Sequence, residues 1–286
     1  MIYRRRASPL HAARATVGAC WCLALMAVSL VTASPLVLGA LLLTIALVAH
    51  AAGVGRQVGR AALFALPLAV AIAVINPIVT REGLTVLVRG ETVPVLGRLD
   101  ITLEAVVFGA LLGLRVLVVM LCAALYSAAV DPDELLRALR RISPRSALTA
   151  ALATRMVPVL GRDARRMAEA QRCRAAGPAG RTAVVRAVAA GTLERAVDVA
   201  ATLELRGYAT PRRSARLRRP WSRHDLAFAA SALALLGLTV AVVAGGAPFE
   251  AYPLLDVGTA PLTLALCAAI VLCAVAPFAD RRGIER

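Results

Sequence analysis

Six times along this chain, 17 or more consecutive residues pass with hardly a charge: 15–33, 36–52, 61–80, 101–130, 226–244 and 259–279. Such runs reach or approach the ~20 residues a helix needs to cross a bilayer's hydrocarbon core. Inside that core the backbone must satisfy its own hydrogen bonds, and a helix does so within one segment. The fold class that follows is an all-α polytopic membrane protein with about six transmembrane helices. Composition agrees, since 59% of the 286 residues are hydrophobic and only 17% are charged.

Charge sets the orientation. The net charge of +16 rests on 33 basic residues, every one of them arginine. A basic excess can mark nucleic-acid binding, but here the arginines gather in the loops, where they bias a segment to the cytoplasmic side. We therefore expect no nucleic-acid partner. Arg4, Arg5 and Arg6 precede the first apolar run, which resembles a signal peptide but is long for one and is followed directly by a second run. It reads as a retained first span with the N-terminus cytoplasmic. Four spans then fill residues 1–130. The stretch 81–100 alternates apolar and polar residues around Arg89-Gly90, the pattern of a short external β-hairpin.

Residues 131–223 break the apolar layout with 20 arginines against 8 acids. Asp131, Pro132 and Glu134 suit the cap, first position and third position of a short amphipathic helix. The apolar run at 146–160 holds Arg155 and Pro158 and is short for a crossing; a span there would also export the arginines beyond it. Residues 131–223 accordingly read as a cytoplasmic region, and 224–286 as two returning spans with the C-terminus cytoplasmic. Within the cytoplasmic region, a helix over about 159–176 meets Gly177-Pro178-Ala179-Gly180. A second, over 182–206, carries Val185, Val188 or Ala189, Ala196, Ala200 and Leu203 on one face and meets Gly207, suited to the left-handed residue after a helix end. Each helix thus ends near an arginine, Arg174 and Arg206. An arginine in a last turn complements the helix dipole, worth about 0.3–1 kcal/mol. A guanidinium projecting from a helix end can also fork onto a docking partner.

Glu104 and Arg115 lie in the fourth span, 11 residues or about 16 Å apart along a helix axis, too far to pair with each other. An arginine at mid-span costs on the order of 2.5–3.5 kcal/mol unless shielded, so Arg115 needs backbone carbonyls, a watered crevice or another subunit. Both residues are candidate subunit contacts within the membrane.

The order of ITLEAVVFGALLGLR, DPDELLRALRR, RMVPVLGRDARRMAEAQRCRAAG and ATLELRGY, over about residues 101–210, resembles the transmembrane T component of energy-coupling factor (ECF) transporters, the EcfT/CbiQ family. That family carries two Ala-Arg-Gly-type triplets on cytoplasmic coupling helices. Here they correspond to Cys173-Arg174-Ala175 and Leu205-Arg206-Gly207. The arginine is kept in both, while the first triplet lacks Ala and Gly in their places and the second has Leu for Ala. The resemblance implies a non-enzymatic membrane scaffold in the cell membrane. It would dock two ABC-type ATPase subunits through these residues and pass their movement to a separate substrate-binding S component, for vitamin or transition-metal uptake.

The chain itself is expected to hold no cofactor, ATP lying on the partner subunits. It has no lysine and so no Walker-type phosphate loop. His11, His50 and His224 are scattered, the six cysteines show no metal spacing, and no catalytic or metal-ligating set is visible. The competing reading is a membrane-embedded enzyme or self-contained carrier using Arg115 and the Asp131/Asp133/Glu134 cluster.

Overall fold

A helix that ends inside a protein must find partners for its last carbonyls, and this fold solves that problem with side chains borrowed from far along the chain. The computed structural model describes residues 6–32, 34–79, 86–93, 97–139, 144–173, 180–207, 220–245, 261–280 and 282. In order these form α1 (Pro9–Ala12), α2 (Ala15–Val31), α3 (Pro35–Ala51), α4 (Gly55–Val79), β1 (Val86–Val93), β2 (Gly97–Thr102), α5 (Leu103–Ala129), α6 (Pro132–Leu139), α7 (Pro144–Arg172), α8 (Arg181–Leu205), α9 (Arg223–Gly245) and α10 (Pro261–Val275), with a 3-10 turn at Ala276–Phe278. Each of the six apolar runs is a helix. Among the described residues, stretches of α4, α5 and α9 are long and apolar enough to cross a membrane, while α2, α3 and Thr263–Phe278 are apolar and shorter. The protein is an all-α polytopic membrane protein with one small hairpin.

The chain divides into two compact units, Met1–Leu135 with Trp221–Arg286, and Leu136–Pro220. In the first, α2 is the hub. Trp21 is fully buried and donates its indole N–H to Ser231 Oγ of α9 at 2.9 Å; Ser231 in turn donates to the Cys273 carbonyl of α10 at 2.7 Å. Phe228 and Phe278 meet Trp21 edge-on, with centroids at 5.5 and 6.1 Å. Two sparse aromatic types thus lock three helices, because a ring offers more buried area and more directional contact than an aliphatic side chain. At the start of α2, Asp225 is completely buried. It accepts from the Arg14 N–H at 2.7 Å and the Ser222 N–H at 3.0 Å, and pairs with Arg14 Nε at 3.2 Å. Arg14 also lies over the Trp221 ring, 5.2 Å from its centroid.

Helices α4 and α5 approach closely because α5 presents glycine where they touch. A Cβ on Gly113 would lie 2.4 Å from the Ala69 carbonyl oxygen, and one on Gly109 2.9 Å from that of Ala73. Small residues allow such contact between apolar helices. Pro67 and Pro77 stand within α4, as expected for a span supported by a neighbour. Beyond this pair, β1 and β2 run antiparallel, with Val86 opposite Thr102, Arg89 opposite Asp100 and Val93 opposite Gly97. The predicted hairpin is present; residues 81–85 and 94–96 of its expected range lie outside the described residues.

Some boundaries differ from those the sequence suggests. Helix α4 starts at Gly55, not near 61, since Arg56 and Arg60 are compatible with a helix that begins before the apolar core. More consequential, 146–160 and 159–172 are a single helix, α7. Pro158 removes one backbone donor, but Pro158 is exposed, so water can serve the freed carbonyl.

Candidate functional site

In the second unit, α7 and α8 pack together, and Arg195 of α8 donates to Asp163 of α7 at 2.7 Å near the middle of both. The half-buried face of α8 is Val184, Val188, Gly191, Arg195, Val199 and Leu203. This corrects the sequence reading of that face. Val188 and Leu203 belong to it, but Val185 is 68% exposed, and Ala189, Ala196 and Ala200 are exposed as well. Hydrophobic spacing allowed either arc; the packed one includes Arg195, which pairs with Asp163 and carries no apolar signature.

On α7, the exposed arginines Arg155, Arg162, Arg165, Arg166 and Arg172 fall, at 100° per residue, on the side away from the residues packed toward α8. Glu169 is the exposed acid among them. Sequence inspection treated these arginines only as an orientation signal, although their spacing already placed them on one face.

Of the two helix ends named from the sequence, the second is described in full and the first only as far as Cys173. Cys173 is exposed in the turn after α7, its N–H donating to the Ala170 carbonyl at 3.3 Å. Arg174 and Ala175 lie outside the described residues. At the other end, Leu205 is the last residue of α8 and is 89% exposed. Arg206 is the C-cap and is exposed; its N–H donates to the Thr202 carbonyl at 3.1 Å. Gly207 turns into the left-handed region at φ +70 and donates to the Glu204 carbonyl at 2.8 Å. Only glycine adopts that φ without strain, so the triplet's last position is fixed by the way the helix stops.

The two membrane candidates sit apart. Glu104 is buried in the first turn of α5, a position that favours a carboxylate, below the Thr102 cap whose Oγ1 accepts from the Ala105 N–H at 3.3 Å. Arg115 donates Nη2–H to the Thr32 carbonyl at 2.8 Å. Of the three kinds of partner open to it, the structure supplies a backbone carbonyl, at the end of α2. Asp131 Oδ1 accepts the Asp133 N–H at 2.9 Å and so caps α6 as the sequence suggested. No group of three or more His, Cys, Asp or Glu able to hold a metal occurs among the described residues.

The family model described as CbiQ, cobalt transport protein, matches residues 6–216. That is most of the chain, and it includes both arginine endings. The chain belongs to the CbiQ family. CbiQ-family proteins are membrane transport components rather than enzymes, and the apolar helices and charged second unit described above belong to such a component. No curated protein matches the chain. The match ends before α9 and α10, although both pack into the core built around Trp21.

Proposed function

We propose that this CbiQ-family protein is the coupling subunit of an ECF-type importer in the cell membrane. On this reading residues 1–130 and 224–286 are the membrane region, crossing several times with both termini cytoplasmic. Residues 131–223 are the cytoplasmic coupling region. Two ABC-type ATPases dock at Cys173-Arg174-Ala175 and Leu205-Arg206-Gly207, ATP is bound by them and not by this chain, and their movement reaches a separate S component that selects the vitamin or metal cargo. Glu104 and Arg115 are the candidate contacts to another subunit within the membrane.

The observation that carries the reading is the end of α8. A leucine that is 89% exposed stands beside an exposed arginine, on a helix stop fixed by a left-handed glycine. An apolar side chain left in the open at a helix end, beside an exposed cation, is a surface that a docking partner can bury. Asp131 and Arg115 have local structural uses and add no support to the enzyme or carrier alternative.

The test is affinity purification of the tagged chain in mild detergent from the membranes of its native cell. Nucleotide-binding subunits should co-purify with the native chain and be lost from Arg174→Ala/Arg206→Ala, while that variant remains monodisperse. Unchanged co-purification by the double variant refutes the docking role.

A further inference from the structure

Between α2 and α5 lies a cavity of about 400 Å³, apolar on nearly all of its wall. Three of the chain's thiols open onto it: Cys20 and Cys22 of α2, and Cys122 of α5. All three are free. Cys22 and Cys122 are 3% and 1% exposed and share the wall of this one cavity, whereas Cys20 is exposed at the surface. A hundred residues separate Cys22 from Cys122 in sequence, and only the antiparallel packing of α2 on α5 brings them to one chamber.

An apolar chamber excludes hydrated ions, yet one of about 150 Å³ already accepts benzene, so this one has room for an aryl group. Two buried thiols on its wall suit a two-point ligand, because the second bond closes at high effective concentration. No third ligand joins them, as no metal-holding group of three is found among the described residues.

We propose that Cys22 and Cys122 form a dithiol site for neutral, lipophilic trivalent arsenicals, whose capture staples α2 to α5. The step is a condensation without redox change. In R–As=O plus two R′SH, two As–S bonds form, the As=O bond breaks, and the oxygen leaves as water with the two thiol protons. No thiolate or metal is required. The site does not rest on the coupling reading, since it uses only the packing of the membrane helices.

The probe is phenylarsine oxide, applied to the full chain in detergent micelles with Cys173, Cys267 and Cys273 replaced by alanine. One phenylarsenic per chain should bind with simultaneous loss of two free thiols, and a small dithiol should reverse it while a monothiol does not. After tryptic digestion, the peptide that carries Cys22 and the peptide that carries Cys122 should remain joined through arsenic. Cys22→Ala or Cys122→Ala should each abolish the adduct, and Cys20→Ala should leave it intact. Ala123→Phe, which fills the chamber but keeps both thiols, should slow capture at least tenfold. Absence of an adduct in the folded chain, an adduct that survives loss of either buried thiol, or one that depends on Cys20, overturns the site.

Discussion

Asp225 shows how much one buried side chain can decide. Its two oxygens receive two backbone N–H groups and the Arg14 guanidinium, joining the start of α9 to the start of α2 across 211 positions of sequence. Removing one partner of a buried pair leaves the other charged and unsolvated, typically at about 3–5 kcal/mol. Asp225→Ala should therefore lower thermal stability in detergent sharply, and a melting temperature like the native one would contradict the latch. Trp21 permits a graded comparison. Trp21→Phe loses the bond to Ser231 and should cost about 0.5–1.5 kcal/mol, whereas Trp21→Ala also opens a cavity and should cost about 3–5 kcal/mol. Denaturant unfolding of the two variants should separate these magnitudes. Arg115 illustrates a different use of charge: its guanidinium meets the carbonyl of Thr32, the residue that caps the end of α2, at the negative end of that helix's dipole. The sequence announced the need for a partner at Arg115, and the fold supplied one by ending α2 beside it.

For the elements, closeness of approach is the controlling variable. Gly113 and Gly39 look alike in sequence, each a glycine within an apolar helix. At Gly113 a methyl group would meet the Ala69 carbonyl oxygen at 2.4 Å, while at Gly39 nothing lies within 4 Å. Gly113→Ala should cost about 1–3 kcal/mol through overpacking; Gly39→Ala should be neutral or stabilise by about 0.5–1 kcal/mol through helix propensity. Thermal unfolding of the pair tests the assignment, and equal effects would contradict it. At the end of α8, Gly207→Ala forces a side chain into left-handed backbone and should cost about 1–2 kcal/mol, read as fraying of the last turn in hydrogen exchange. By contrast, the Arg195–Asp163 pair is partly exposed, with 41% and 27% of the side chains accessible. Its net contribution to stability should be no more than about 1 kcal/mol.

On the scale of the whole molecule, orientation is the open consequence. If the arginine-rich unit faces the cytoplasm, the exposed Cys173 should react with a membrane-impermeant maleimide in inside-out vesicles and stay unlabelled in intact cells. The opposite pattern would defeat the coupling proposal independently of any purification. The second unit holds a helix with a cationic outer face beside one with an apolar outer face, so the pair can offer different chemistry to different neighbours.

The sequence by itself determined the class of protein, the six apolar helices, the hairpin, the α6 cap and the stop of α8 at Arg206-Gly207. These depend on local composition, on runs long enough to span and on stop residues such as Gly207, all written within a few turns of chain. Only the tertiary structure decided the partner of Arg115, the Asp225 latch, the face of α8 that meets α7 and the sharing of one cavity by Cys22 and Cys122. Each of these depends on which distant segment becomes a neighbour, and helix periodicity carries no record of that choice.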